Sequence, residues 1–154
     1  SQIGVDMLTI HTSCGFEAMK MIAQLKESKE GLPLIIGVSA LTSFDNDDFM
    51  EIYNVPLFSH TLKLSSLAYR AGIDGVVCSV QEGRAIKQIT QNTFLTITPG
   101  IRPFGEEAND QRRVATLQDA KAAMSDFVVI GRPIYKAENP LSIVERILQS
   151  KAMQ

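Results

Sequence analysis

Short apolar runs alternate along this chain with segments whose apolar residues recur at helical spacing. The runs at 7–11, 34–39, 75–79, 94–97 and 127–130 read as strands, that at 94–97 as a buried one. The second, Leu34-Ile35-Ile36-Gly37-Val38-Ser39, is apolar on both faces, as parallel strands covered by helices are. Between the strands the spacing predicts a helix over 15–28, behind a Thr12-Ser13 cap, with Phe16, Met19, Ile22, Ala23 and Leu25 on one side. Further helices are predicted over 47–53, capped by Asp45 or Asn46, and over 58–71, with Leu62, Leu64, Leu67 and Ala68 inward and Gly72 closing it. Others cover 81–91, 117–124 and 140–151, the last opening with Pro140 in its first turn.

Alternation of this kind implies a parallel sheet with right-handed crossovers. Two architectures fit: an open, doubly wound five-stranded sheet, or part of a (β/α)8 barrel, which needs about 250 residues and at least about 200. Gln2-Ile3-Gly4-Val5-Asp6 has the look of a helix end with a glycine cap, although no helix precedes it, and polar residues gather at the C-terminal ends of several strands. Both features favour an incomplete barrel; the pattern alone leaves the choice open.

Composition narrows the function classes. With 45% hydrophobic and 21% charged residues and a formal charge of -2, the chain reads as an ordinary soluble domain and not as a nucleic-acid binder. No apolar run approaches the ~20 residues a membrane helix needs, and Ser1-Gln2-Ile3-Gly4 does not open a signal peptide. Cys14 and Cys78 lack metal-type spacing and read as reduced, largely buried thiols, so a cytoplasmic protein is expected.

The chemistry concentrates in residues 98–113. Thr98-Pro99-Gly100-Ile101-Arg102-Pro103 follows a strand directly and leads through a long polar stretch to Asp110-Gln111-Arg112-Arg113. Loops this long in a compact α/β unit tend to be functional. The next strand also ends in glycine and arginine, Gly131-Arg132-Pro133. A guanidinium offers a rigid fork of donors for phosphate oxygens, and glycine lets backbone approach an anion closely. Arg102 and Arg132 are therefore the sharpest candidates. Gln111 reads either as a phosphate ligand or as a helix-start residue, and Arg112 and Arg113 read as surface charges. Thr42 and Ser43 either bond a ligand or cap the following helix. His11, at a strand end, reads as packed or supporting, His60 as solvent-facing, and Glu82 as a carboxylate in a helix's first turn. No dinucleotide fingerprint, P-loop, zinc motif or nucleophile elbow is present.

Taken together, Val5-Asp6-Met7-Leu8-Thr9-Ile10-His11, Leu41-Thr42-Ser43, Gly75-Val76-Val77-Cys78-Ser79, the Thr98–Pro103 and Asp110–Arg113 segments, and Val129-Ile130-Gly131-Arg132-Pro133 resemble bacterial orotidine 5'-phosphate decarboxylase. The resemblance implies a (β/α)8 barrel, usually homodimeric, that makes UMP and CO2 from orotidine 5'-phosphate with no metal or organic cofactor. It aligns residues 1–154 with the C-terminal part of one barrel domain, on the family's fourth to eighth strands. By the same resemblance Thr42, Arg102, Gln111, Gly131 and Arg132 are expected to bind substrate. The family's catalytic Asp-x-Lys-x-x-Asp segment does not occur here, so no catalytic residue is expected in these residues, and the chain alone is expected to be inactive. Other phosphate-binding barrels, such as a sugar-phosphate epimerase or 3-keto-gulonate-phosphate decarboxylase, and a non-catalytic nucleotide-binding fragment stand as alternatives.

Overall fold

The computed structural model describes residues 4–29, 31–105 and 113–150. Five strands, β1 (Met7–His11), β2 (Leu34–Val38), β3 (Gly75–Val77), β4 (Leu95–Thr98) and β5 (Phe127–Val128), alternate with α1 (Phe16–Glu27), α2 (Asn46–Tyr53), α3 (Leu57–Ala71), α4 (Val80–Ile89), α5 (Leu117–Ala122), α6 (Arg132–Tyr135) and α7 (Pro140–Leu148). The sheet is parallel throughout, and its spatial order is the chain order, β1-β2-β3-β4-β5. A doubly wound sheet reverses its order at a switch point, whereas a barrel adds each strand beside the last. The order therefore decides for the barrel type, here as an open five-stranded arc.

Strand alternation separates two faces. Ile10, Gly37 and Val76 share a register row, and Ile10 and Val76 pack with Met19, Ala23, Ala68, Ala71 and Ile86 in the main core beneath the helices. A second core joins Val128 and Ile130 to Ile101, Leu117, Ala120 and Ile147. His11, Val38, Val77, Ile97 and Phe127 form a row on the opposite, concave face. His11 and Phe127, at its two ends, are exposed.

The lower edge carries a repeated device. Asp74, just before β3, accepts from the Ile35 amide of the neighbouring strand at 2.7 Å and pairs with Lys26 of α1. Asp126, just before β5, accepts from the Thr96 amide at 2.7 Å and pairs with Lys87 of α4 at 2.6 Å. Lys87 is buried, and it also donates to the carbonyls of Asn92 and Phe94 at 2.9 and 2.8 Å. A buried ammonium whose three protons all find acceptors is tolerated in a dry interior.

Several local expectations need correction. Thr12 and Ser13 do not cap α1: they lie in a 3-10 turn, Thr12–Cys14, where fully buried Thr12 donates to the Val38 carbonyl at 2.9 Å, and Gly15 precedes the helix. Leu25 is exposed, because Met19 and Ala23 already fill the contact with the sheet. β3 is shorter than expected because Ser79 belongs to the cap of α4. β5 is shorter too, with only β4 beside it among the described residues, and the four-residue α6 was not foreseen.

Candidate functional site

The upper ends of β4 and β5 converge on one cavity. After β4 the chain turns at Pro99-Gly100, where Gly100 has φ +81°, a left-handed conformation that a side chain would strain. Fully buried Ile101 forms an isolated parallel bridge with Ala115. The Ala115 amide donates to the Gly100 carbonyl at 3.3 Å, and the Arg102 amide donates to the Ala115 carbonyl at 2.8 Å. Ala115 thus fixes the backbone from Gly100 to Arg102. Its buried guanidinium turns back to donate from Nη1 to the Ile101 carbonyl at 3.2 Å. Beyond β5 the Val129 amide donates to the Thr98 carbonyl at 2.9 Å, keeping the two strand ends together before α6 begins at Arg132.

Arg102, Gly131 and Arg132 line the resulting cavity of about 160 Å³ together with Pro99, Val129 and Tyr135. No acidic residue is among the described residues that line it. A Cβ built on Gly131 would meet only the Tyr135 ring, at an ordinary 3.5 Å. Among the described residues, packing therefore leaves room for a side chain at Gly131, whose backbone (φ -101°, ψ -90°) lies outside both the helical and the extended regions. Two guanidinium groups and a bare backbone segment around a small cavity suit a compact dianion. Tyr135 was missed in the sequence, since nothing local marks a tyrosine on a one-turn helix.

Thr42 is buried after β2, but it does not line this cavity. It is not a cap either: Asp45 caps α2, accepting from the Asp48 amide at 2.9 Å. Ser43 is exposed. Gln111 and Arg112 lie outside the described residues.

Arg113 overturns the surface-charge reading. It is buried and forms an ion pair with buried Glu82. It also donates to Ser79 Oγ at 3.2 Å and to the Leu41 carbonyl at 3.0 Å. The other Glu82 oxygen accepts from the amide and hydroxyl of Ser79, each at 2.6 Å, closing a capping box on α4. The sequence showed Glu82 as a first-turn carboxylate; its partner, 31 residues away, it did not show.

The remaining titratable candidates sort by surroundings. His11 is exposed at the end of β1, not packed. His60 is half-buried against Phe49 and Tyr53, with ring centroids 5.2 and 5.8 Å away, and so is not free in solvent. Burial first, and the Lys63 charge second, hold its pKa below the usual 6.5. Cys78 is buried, and burial, reinforced by the Glu82 carboxylate, pushes its thiol pKa up; Cys14 is exposed, contrary to expectation. Among the described residues no group of three or more His, Cys, Asp or Glu side chains is placed to hold a metal ion.

Comparison with known proteins bears on this geometry. The family model described as orotidine 5'-phosphate decarboxylase / HUMPS matches residues 1–147. The orotidine 5'-phosphate decarboxylase of Campylobacter concisus is 50% identical over 149 residues, which cover 97% of this chain and 66% of that protein. That of Nitratiruptor sp. is 49% identical over 148 residues, covering 96% and 65%. The chain therefore spans just under two thirds of the length of these relatives. Among solved structures, the orotidine 5'-phosphate decarboxylase of Lactobacillus acidophilus superposes with a TM-score of 0.77 at 30% identity, covering 95% of this chain and 63% of its own.

Proposed function

The chain belongs to the orotidine 5'-phosphate decarboxylase / HUMPS family, and on that premise we propose that it supplies the phosphate- and nucleotide-gripping part of an enzyme converting orotidine 5'-phosphate to UMP and CO2. The observation that carries this reading is the convergence of Arg102, Gly131 and Arg132 on one small cavity at the C-terminal ends of β4 and β5. That is the edge of a barrel where phosphate sites form. In this reading Arg102 and Arg132 hold the phosphate oxygens, Gly131 lets the backbone come close, and Thr42 and Gln111 add polar contacts. The enzyme is read as a cytoplasmic homodimer working without metal or organic cofactor.

The chemical step demands a group these residues do not supply. Loss of CO2 leaves an electron pair on the pyrimidine ring carbon, which a nearby ammonium must stabilise and then protonate. The family's Asp-x-Lys-x-x-Asp segment has no match here. Asp119-Ala120-Lys121 agrees at two positions but runs on to Met124, and Asp119 is occupied in capping α5. In this reading the ammonium comes from outside these 154 residues. The phosphate grip still contributes to rate, because binding energy at a non-reacting group orders the site and positions the ring.

The test is decarboxylation by the complete barrel protein carrying Arg102→Ala or Arg132→Ala. Each is expected to lower kcat/KM by at least about tenfold, as loss of a charged hydrogen bond does. Near-parental kinetics in both would overturn the assignment. A parent protein that turns over a sugar phosphate and ignores orotidine 5'-phosphate would favour the other phosphate-binding barrels.

A further inference from the structure

The buried pair of Glu82 and Arg113 does not line the cavity, yet backbone connects it to Arg102, which does. Two residues beyond Arg113, Ala115 accepts the Arg102 amide and donates to the Gly100 carbonyl. The short return segment from Arg113 to Ala115 is therefore the rail on which Arg102 sits. The rail's outer end is fixed by the Arg113 guanidinium, which grips Glu82 and Ser79 at the start of α4 and the Leu41 carbonyl in the loop after β2. On the other flank, the Arg146 guanidinium of α7 lies 4.0 Å above the Phe104 ring, two residues past Arg102.

From this geometry we infer that Arg113 is a positioning residue: through Ala115 it sets where Arg102 meets the cavity, and through Leu41 it ties that segment to the loop carrying Thr42. The inference rests on the phosphate-gripping reading above. A planar fork is needed, because its acceptors lie on separate elements and an ammonium on a single stem cannot reach them in the same geometry. Both side chains are nearly fully buried, so the pair persists only while each partner satisfies the other.

Titration of the complete protein with UMP and with uridine separates positioning from mere support. A single Arg113→Met change leaves a buried, unpaired carboxylate and risks misfolding, so the decisive variant is the double replacement Arg113→Met with Glu82→Gln. Glutamine keeps the capping box, and a neutral pair removes the unpaired charge. This variant is expected to melt within a few degrees of the parent, lose at least about tenfold in UMP affinity and keep uridine affinity within about twofold. Arg113→Lys is expected to fall between it and the parent. Equal losses for both ligands, or no loss for UMP, would overturn the inference. A parent that binds neither ligand would remove the phosphate-gripping reading, and this inference with it.

Discussion

At Gly131 the described packing leaves room for a side chain. Gly131→Ala is expected to change folding stability by no more than about 1 kcal/mol, since the new methyl meets one ring edge at ordinary contact. The same change should weaken phosphate-ester binding, because the methyl occupies the approach to the cavity; titration with UMP checks this. Glu82 gives the opposite pattern. Glu82→Leu strands the Arg113 guanidinium in the interior and is expected to cost about 3–5 kcal/mol in chemical denaturation. The thiols offer a third reading at this scale. Alkylation of the native protein followed by mass analysis should mark exposed Cys14 and spare Cys78, whose thiol is buried and whose pKa is raised. Native labelling of Cys78 would contradict its place in the main core.

At the scale of elements, the helix ends govern how the segments respond to pH. Asp119 accepts from the amide and hydroxyl of Thr116 at 2.9 and 2.7 Å, and these bonds, the amide's first, hold its carboxyl below the usual 3.8. A depressed carboxylate contributes stability above its unfolded value and loses it as pH falls through the lower folded one. Thr116→Ala should therefore cost about 1 kcal/mol near neutrality, and less once the medium is acidic enough to protonate Asp119. His60 also weakens the fold toward acid, by burial of a neutral ring. Its folded pKa lies below 6.5, so stability is intact above that value and declines as pH falls and the half-buried ring has to be charged. Denaturation of His60→Gln as a function of pH should show a flatter profile through that window. An unchanged slope would mean that the stacking of His60 on Phe49 and Tyr53 is not maintained in solution.

At the scale of the molecule, the sheet has two open sides. Among the described residues β1 and β5 each pair on one side only, and Val5, Leu8, Phe127 and Val129 are each more than two-fifths exposed along them. Unpaired parallel edges with apolar side chains favour association. The 154-residue chain is expected to sediment as concentration-dependent oligomers, and Leu8→Lys with Phe127→Lys should shift it toward smaller species. A monodisperse monomer that melts cooperatively would show that the arc stands alone.

What could be read from the chain alone was local. Apolar runs gave the strands, with β1 matched end to end although none of its residues is buried, because a run of strand-favouring residue types marks a strand in consecutive positions. Glycine and arginine after consecutive strands pointed to an anion site, and the matched segments pointed to the family, because backbone turns and guanidinium forks depend on residue type at fixed short spacing. The tertiary structure decided everything that joins distant residues. Strand order chose the barrel-type arc over a doubly wound sheet, a difference invisible to periodicity. Arg113 proved to be an internal anchor because Glu82, Ser79 and Leu41, from other elements, surround it. Leu25 and Cys14 stayed outside because nearer neighbours had filled the core. A residue's chemistry is written in its own position, but burial and partnership depend on what the fold brings beside it.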